Sequence, residues 1–307
     1  MAGSSARGRA TRSAAAARAD EALAGYALAG PAFLLLLCLF ILPTLSVLLI
    51  ATTDWKFGAR TLSFVGLRNF AELFSDPVFR ISAVNTVLYV AVVVPATVSL
   101  GLTVALLIES GRSLRAFYRA VHFLPFMATL AAMAIAWEML LHPTIGLVNQ
   151  VFTLLGLPAA NWLRNANTAL PVLAVIGVWQ DLGFAMVLFL AGLKAIPQEL
   201  YDAADVDGAD RMLDRLRTVT LPLLGPVTMF VVIVMTLKEL RVFDTVKILT
   251  EGGPAKASEV LLYTLYVESF EYMRTGYGAA ITVLFLAVVV GLTLLQAKVM
   301  DKRVHYS

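Results

Sequence analysis

The sequence predicts an all-α membrane protein with six transmembrane helices and both termini in the cytoplasm. Three observations carry that prediction. The 307 residues are 59% hydrophobic and only 15% charged, against about 25% charged in ordinary soluble domains. Apolar runs of about 20 residues recur six times, each long enough at about 1.5 Å per residue to cross about 30 Å of hydrocarbon. Lysine and arginine are divided unevenly between the segments that join these runs.

The runs are Leu28–Thr52, Ala83–Leu107, Val121–Leu141, Ala169–Leu193, Leu221–Phe243 and Ala279–Val299. Each is expected to be helical, because lipid offers no partner to a backbone N–H or C=O and a helix satisfies both within one segment. Pro43, Pro95 and Pro125 are expected to kink three of them. With six spans, the loops and tails sort onto two sides. One side holds fourteen basic residues: Arg7, Arg9, Arg12, Arg18, Arg112, Arg115, Arg119, Lys194, Arg211, Arg215, Arg217, Lys298, Lys302 and Arg303. The other holds eight, in longer loops: Lys56, Arg60, Arg68, Arg80, Arg164, Lys247, Lys256 and Arg274. The positive-inside rule places the richer side in the cytoplasm.

The organisation that follows is a cytoplasmic tail over 1–27, a six-span domain over 28–299 and a cytoplasmic tail over 300–307. External loops cover 53–82, 142–168 and 244–278, and the main cytoplasmic loop covers 194–217. Ala14–Tyr26 is expected to lie as a short helix on the membrane surface, behind a mobile stretch ending near Asp20. Leu28–Thr52 is too long for a signal-peptide core and no small-residue cleavage site follows it, so it reads as an uncleaved span.

Several chemistries are excluded. The one cysteine, Cys38, permits no intrachain disulfide and joins no metal-ligand pattern. The dipeptide Gly-Lys is absent, so there is no phosphate-cradling G-x-x-x-x-G-K-[ST] loop and no nucleotide cofactor site in this chain. His122, His142 and His305 are scattered, without a catalytic or metal-binding arrangement around them. A net charge of +3 and a pI near 9.0 reflect cytoplasmic anchoring on a lipid bilayer rather than a nucleic-acid partner.

The most informative segment is the polar loop between the fourth and fifth runs, which reads KAIPQELYDAADVDGADRMLDRLRTVTLPLLGP from Lys194 to Pro226. Pro197 suits the first turn of a helix, Glu199 and Asp202 suit its positive end, and Gly208 is a stop. Leu200, Ala203 and Ala204 then fall at i, i+3 and i+4, one small face that another protein's backbone can approach. A second amphipathic piece carries Met212, Leu213, Leu216 and Val219 toward Leu221-Pro222. Asp205, Asp207 and Asp210 alternate around Gly208, but an EF-hand needs a third ligand before the glycine and a glutamate at position twelve. No calcium site is expected.

Ionisable side chains inside a span are costly, about 2.5–3.5 kcal/mol at the centre on insertion scales, and mark pathways by default. Asp181 falls about twelve residues into the fourth run, near mid-membrane, within VWQDLGF. Lys238, Glu239 and Arg241 fall in the outer third of the fifth run. Two readings stand open together: Asp181 pairs with Lys238 or Arg241 and ties two helices, or these groups line a polar cavity. Trp179 and Phe184 offer ring faces to a sugar or serve as packing.

The stretch IPQELYDAADVDGA followed by TLPLLGP resembles the EAA loop of the inner-membrane permease subunits of binding-protein-dependent ABC importers, in their sugar and glycerol-phosphate branch. Asp202, Ala203 and Ala204 fill its E-A-A, Asp207, Gly208 and Ala209 its D-G-A, and Leu221-Pro222 its L-P. Aspartate at 202 departs from the usual glutamate, and the spacer from Gly208 to Leu221 is one residue longer than the pattern. FVGLRNF (64–70), Asn85-Thr86, FLPF (123–126), WEMLLHPTIGLVNQ (137–150), LAGL (190–193) and FDTVKILTEGGP (243–254) extend the resemblance over about Leu28 to Val299.

The resemblance implies a six-helix permease of the type I importer kind in a bacterial inner membrane, and not an enzyme. ATP and magnesium would be held by two cytoplasmic ATPase subunits, coupled through Leu200, Asp202, Ala203, Ala204, Asp207, Gly208 and Ala209. A second homologous permease would complete the path. Substrate contacts would map to Gly177, Gln180, Asp181 and Phe184, and to Met235, Lys238, Glu239 and Val242. Outside, Glu251, Gly252, Gly253 and Pro254, with Leu67–Phe79, would meet a solute-binding protein. The cargo expected is a sugar, with glycerol 3-phosphate or a related polyol phosphate as the alternative. A self-contained secondary transporter is the remote rival, because it would show internal repeats and need no docking helix.

Overall fold

The computed structural model describes residues 25–303 except 112 and 210, with side chains described as far as Lys298. The expected surface helix and mobile stretch therefore lie outside the described residues up to residue 24, as do Asp210 and the last four residues. The described residues are helical throughout apart from loops, with one isolated antiparallel bridge between Thr53 and Phe64.

The elements are α1 (Gly25–Ile50), α2 (Arg68–Ser75), α3 (Pro77–Ser110), α4 (Arg115–Met127), α5 (Leu130–Leu140), α6 (Leu147–Leu154), α7 (Ala169–Lys194), α8 (Gln198–Val206), α9 (Met212–Leu223), α10 (Gly225–Glu239), α11 (Asp244–Leu249), α12 (Leu261–Tyr266) and α13 (Thr275–Arg303). Four of them, α1, α3, α7 and α13, are long and apolar enough to cross a membrane. Two bent pairs bring the number to six when each is taken as one span.

Those bent pairs correct the sequence expectation of six simple runs. The third run is two helices, α4 and α5, meeting at 99°. Pro125 lies in the last turn of α4, where its missing N–H and its ring weaken the ladder, and Ala128 and Thr129 then leave helical backbone. The fifth run is joined to α9 through a 65° bend at Leu224. Proline acts differently at Pro43 and Pro222. In both places the preceding turn widens to a π-helix, Leu37–Ile41 and Leu216–Thr220, with the N–H of Leu42 or Leu221 reaching back five residues. Inserting one residue into the turn makes room for the proline ring. Residues 25–27 belong to α1, because nothing polar separates them from the apolar run, and α13 continues to Arg303 with no proline or glycine to stop it.

Helices α3 and α7 form the centre, and small residues set their closeness. A β-carbon on Gly101 of α3 would lie 2.7 Å from Ala185 Cβ of α7. One on Gly183 would lie 2.0 Å from the carbonyl oxygen of His122, so α4 crosses α7 backbone to backbone. Lipid supplies no hydrophobic drive between helices, and such close approach is the usual source of their attraction. One buried cluster gathers Tyr89, Leu173, Ile176, Val246 and Tyr263, and another gathers Ala105, Met186, Phe189, Leu224 and Met235. A third joins Leu73, Phe79, Leu261, Ala280 and Ile281, with Val47 and Ile50 of α1 against it. The rest of α1 has no buried residue.

At the N-terminal end of α3 the connections are ordered by polar side chains. Asp76 caps α3 by accepting the N–H of Val78 at 2.8 Å, ahead of Pro77 in the first turn. Asn149, buried, donates to the carbonyls of Pro143 and Ala160 at 3.0 and 2.9 Å and accepts Trp162 Nε1 at 2.8 Å. One amide thereby ties the start of the 142–168 loop to Ala160 and Trp162.

Candidate functional site

A polar cavity of about 270 Å³ opens between α3, α7 and the end of α10. Helix α7 contributes Gly177, Gln180 and Asp181, and α10 with the turn after it contributes Lys238, Glu239, Arg241 and Val242. Asp181 is 1% exposed, and each of its carboxylate oxygens lies 2.5 Å from Lys238 Nζ. Lys238 has a 37% exposed side chain, stands 3.9 Å from Glu239 Oε1 and lies 5.7 Å from the centre of the Phe126 ring. Both sequence readings of Asp181 are therefore compatible with one geometry: the pair ties α7 to α10 and borders the cavity.

Glu239 is 4% exposed, and its Oε1 has no hydrogen-bond partner among the described residues. A buried acceptor left unmet costs about 1–3 kcal/mol. Arg241 is exposed and its Nε donates to the Leu237 carbonyl at 3.0 Å. The lining thus carries three acids, Asp181, Glu239 and Asp244, and two bases, Lys238 and Arg241, so it holds no excess of positive charge.

Six of the eight residues expected on the path border this cavity. The other two are turned away. Phe184 stacks on Phe126 with ring centres 4.7 Å apart, joining α7 to α4, and Met235 is fully buried in the core cluster beside Phe189. Tyr89 of α3 borders the cavity and was not legible beforehand, since a lone tyrosine in an apolar run reads as packing. Gly177 is the one hint. A β-carbon there would lie 2.4 Å from Tyr89 Oη, so the glycine makes room for that ring.

The second region is α8, at the far end of the same helices. Pro197 is its N-cap rather than its first turn, and Gly208 ends it at φ +89°. The Gly208 N–H bonds Asp205 O at 3.1 Å and the Ala209 N–H bonds Ala204 O at 2.9 Å, a Schellman ending. Leu200, Asp202, Ala203, Asp207 and Gly208 are exposed, whereas Ala204 is half-buried and Ala209 buried. The free face is thus narrower on that side than the sequence spacing implied. Val206, 88% exposed, extends it. Asp205 and Arg215, paired at 2.6 Å, hold α8 against α9, and Tyr201 Oη lies 3.2 Å from Thr220 Oγ1. Of the residues expected to meet a solute-binding protein, Glu251 is exposed, Gly253 and Pro254 are half-buried and Gly252 is buried.

Charges paired across apolar helices around a polar cavity, with a short exposed helix at the other end of those helices, define a multi-pass membrane protein of the transporter class. Residues 97–306 match the family described as the binding-protein-dependent transport system inner membrane component, and the chain belongs to that family. It is 35% identical over 281 residues to the trehalose/maltose transport system permease protein MalF of Thermococcus litoralis, covering 91% of this chain and 94% of that protein. It is 34% identical to the probable ABC transporter permease protein YurN of Bacillus subtilis, covering 87% and 92%. It is 33% identical to the sn-glycerol-3-phosphate transport system permease protein UgpA of Agrobacterium fabrum, covering 92% and 96%. Its fold is similar to a chain of a bacterial ABC transporter that imports alginate, with a TM-score of 0.82, 20% identity and coverage of 95% and 99%.

Proposed function

We propose that the chain is one of two permease subunits of an ATP-driven carbohydrate importer in a bacterial inner membrane, and that its cargo is an uncharged sugar or polyol. A cavity without excess positive charge carries this reading. Asp181 neutralises Lys238, and the unpartnered Glu239 oxygen favours a hydroxyl donor over an anion. The half-exposed Lys238 stands at the cavity's open side, which a second permease subunit would close.

In this reading both termini are cytoplasmic and the bent pairs α4–α5 and α9–α10 each count as one span, giving six. The free face of α8, centred on Leu200, Ala203 and Val206, docks in one of two cytoplasmic ATPase subunits that bind ATP and magnesium. Closure of those subunits moves α8, and the Asp205–Arg215 pair carries the motion to α9 and its bend at Leu224. A solute-binding protein delivers the cargo at the opposite end, near Glu251–Pro254. The path then alternates between the two sides. Trehalose and maltose named for a relative fit a neutral cargo.

A second reading, a glycerol-phosphate importer, is favoured by Arg241, which has no acidic partner among the described residues, and by the resemblance to UgpA. Uptake into cells expressing the complete importer decides between them. Asp181→Ala is expected to lower uptake of a labelled neutral sugar at least about tenfold, or about 1.4 kcal/mol, with the ATPase still co-purifying. Wild-type uptake by that variant at normal expression removes Asp181 from the path. Uptake of glycerol 3-phosphate without any neutral sugar selects the second reading.

A further inference from the structure

The loop over 250–260 is fastened to α3 by two adjacent side chains. The Asn85 amide nitrogen donates toward three loop carbonyls, those of Lys256 at 3.2 Å, Ala257 at 3.3 Å and Glu259 at 2.9 Å. Thr86 Oγ1 accepts the N–H of Leu261 at 2.9 Å, one of the first amides of α12, which have no partner inside that helix.

The loop itself is stiff. Glu251, Ala255 and Lys256 take left-handed backbone at φ 50°, 47° and 66°, beside Gly252 at 74°. Non-glycine residues hold that conformation where their surroundings over-determine it. Those surroundings are visible: Ser258 Oγ lies 2.6 Å from Gly253 O and 2.8 Å from Thr250 Oγ1. Glu259, wholly buried, accepts Thr264 Oγ1 at 3.0 Å and pairs with Lys256 Nζ at 3.2 Å. At its other end the loop is continuous with α11, since the Thr250 and Glu251 N–H groups both bond Val246 O, at 3.1 and 2.8 Å. Helix α11 begins with Asp244 and Thr245, which form part of the cavity lining.

We propose that Asn85 and Thr86 are positioning residues for transport. They join the loop, α11 and the outer part of α3 into one body, so that a partner displacing the loop also displaces the cavity wall at Asp244 and Thr245. The inference rests on the importer reading but on no particular cargo. It assigns Asn85 a donor role that chemistry can isolate. An ionised carboxylate at 85 would face three carbonyls without a proton, whereas a protonated one keeps a donor. The ionisable groups facing this position from the loop, Lys256 and Glu259, are already paired with each other.

The test uses the assembled importer in cells, with Cys38→Ser and Ala257→Cys, and a membrane-impermeant maleimide from pH 5 to 8.5. Labelling rates are normalised to the same protein after denaturation, which removes the thiol's own titration. With Asn85 present, labelling is expected to be slow at every pH. Asn85→Ala is expected to label at least about fivefold faster throughout. Asn85→Asp is expected to match Asn85 at low pH and Asn85→Ala at high pH, with sugar uptake lost over the same interval. Asn85→Asp labelling as slowly as Asn85 at the high-pH end, where the carboxylate is ionised and has no proton to donate, overturns the donor role. A labelling switch without a matching change in uptake overturns the positioning role. Failure of the Asn85 protein to take up sugar at all counts against the importer reading alone, because the labelling arm does not depend on cargo.

Discussion

Two loops at opposite ends of α3 share a local signature and use it in opposite ways. Near the C-terminal end of α3, Asp207-Gly208-Ala209 closes α8; near its N-terminal end, Glu251-Gly252-Gly253 opens the loop fastened by Asn85. Glu109, which borders one pocket with Gln198 and Tyr201 of α8, is about 36 Å from Asn85 along α3. Both loops place a glycine in left-handed backbone after an acidic residue, Gly208 at φ +89° and Gly252 at φ +74°. Around Gly208 a β-carbon would find nothing within 4 Å. Around Gly252 it would lie 2.1 Å from Glu259 Oε2 and 3.0 Å from Tyr263 Cε1. The first loop leaves the space beside its glycine open, and the second has that space filled by the chain itself. Hydrogen bonding follows the same division. Arg215, bonded to Asp205 and to the Ala209 carbonyl, and the Tyr201–Thr220 contact steady α8, whereas Asn85, Thr86, Ser258 and Glu259 hold the other loop.

The largest effect expected from this contrast is at Gly252. Gly252→Ala combines a left-handed backbone with a clash against a carboxylate that Thr264 and Lys256 hold in place. Overpacking and the conformational penalty together give about 2–4 kcal/mol of destabilisation. A lower thermal midpoint and a reduced yield of the purified complex are the measurements. An unchanged midpoint would mean that the loop yields easily, and the contrast between the two loops would lose its physical basis.

The sequence carries much of this contrast, but unevenly. Helix α8 was legible because a local pattern governs it: proline at the start, acids in the first turn, glycine at the stop. The charged residues of the cavity were legible because lipid makes an intramembrane charge conspicuous. Other features depend on distant partners and leave no periodic trace. Tyr89 meets Gly177 from another helix, and Asn85 meets carbonyls more than 170 positions away. The break after Met127 arises where α4 crosses α7 at Gly183, so Pro125 alone pointed only to a kink. Phe184 and Met235 shared the spacing of the cavity residues, yet α4 and the core beside Phe189 claimed them. Spacing fixes which residues share a face, and only packing fixes what that face meets.

The next effect is functional rather than structural. Ala203 is exposed on α8, so Ala203→Trp should leave stability within about 0.5 kcal/mol of the parent. If that face docks in the ATPase, the indole fills the space a partner backbone needs. Uptake is expected to fall at least about tenfold, with loss of ATPase from the purified complex, while the midpoint of the permease alone stays put. Normal uptake would show that the free surface of α8 is not where the driving subunit sits.

The smallest expected effect is the most discriminating about the glycines. Gly208→Ala meets no neighbour, so its cost comes only from placing a side chain at φ +89°. That penalty is about 1 kcal/mol, well under the value for Gly252→Ala, although both positions have the same sequence signature. The Schellman bonds of Gly208 and Ala209 are backbone to backbone and survive the change if the conformation does. Comparing the two alanine variants in one thermal series therefore separates backbone conformation from packing. Equal losses would mean that conformation alone decides, and that the buried Glu259 adjusts to whatever stands beside it. A gap of about 1 kcal/mol or more in the expected direction would mean that the 250–260 loop is held by its neighbours, which is what the proposed movement as one piece with α3 requires.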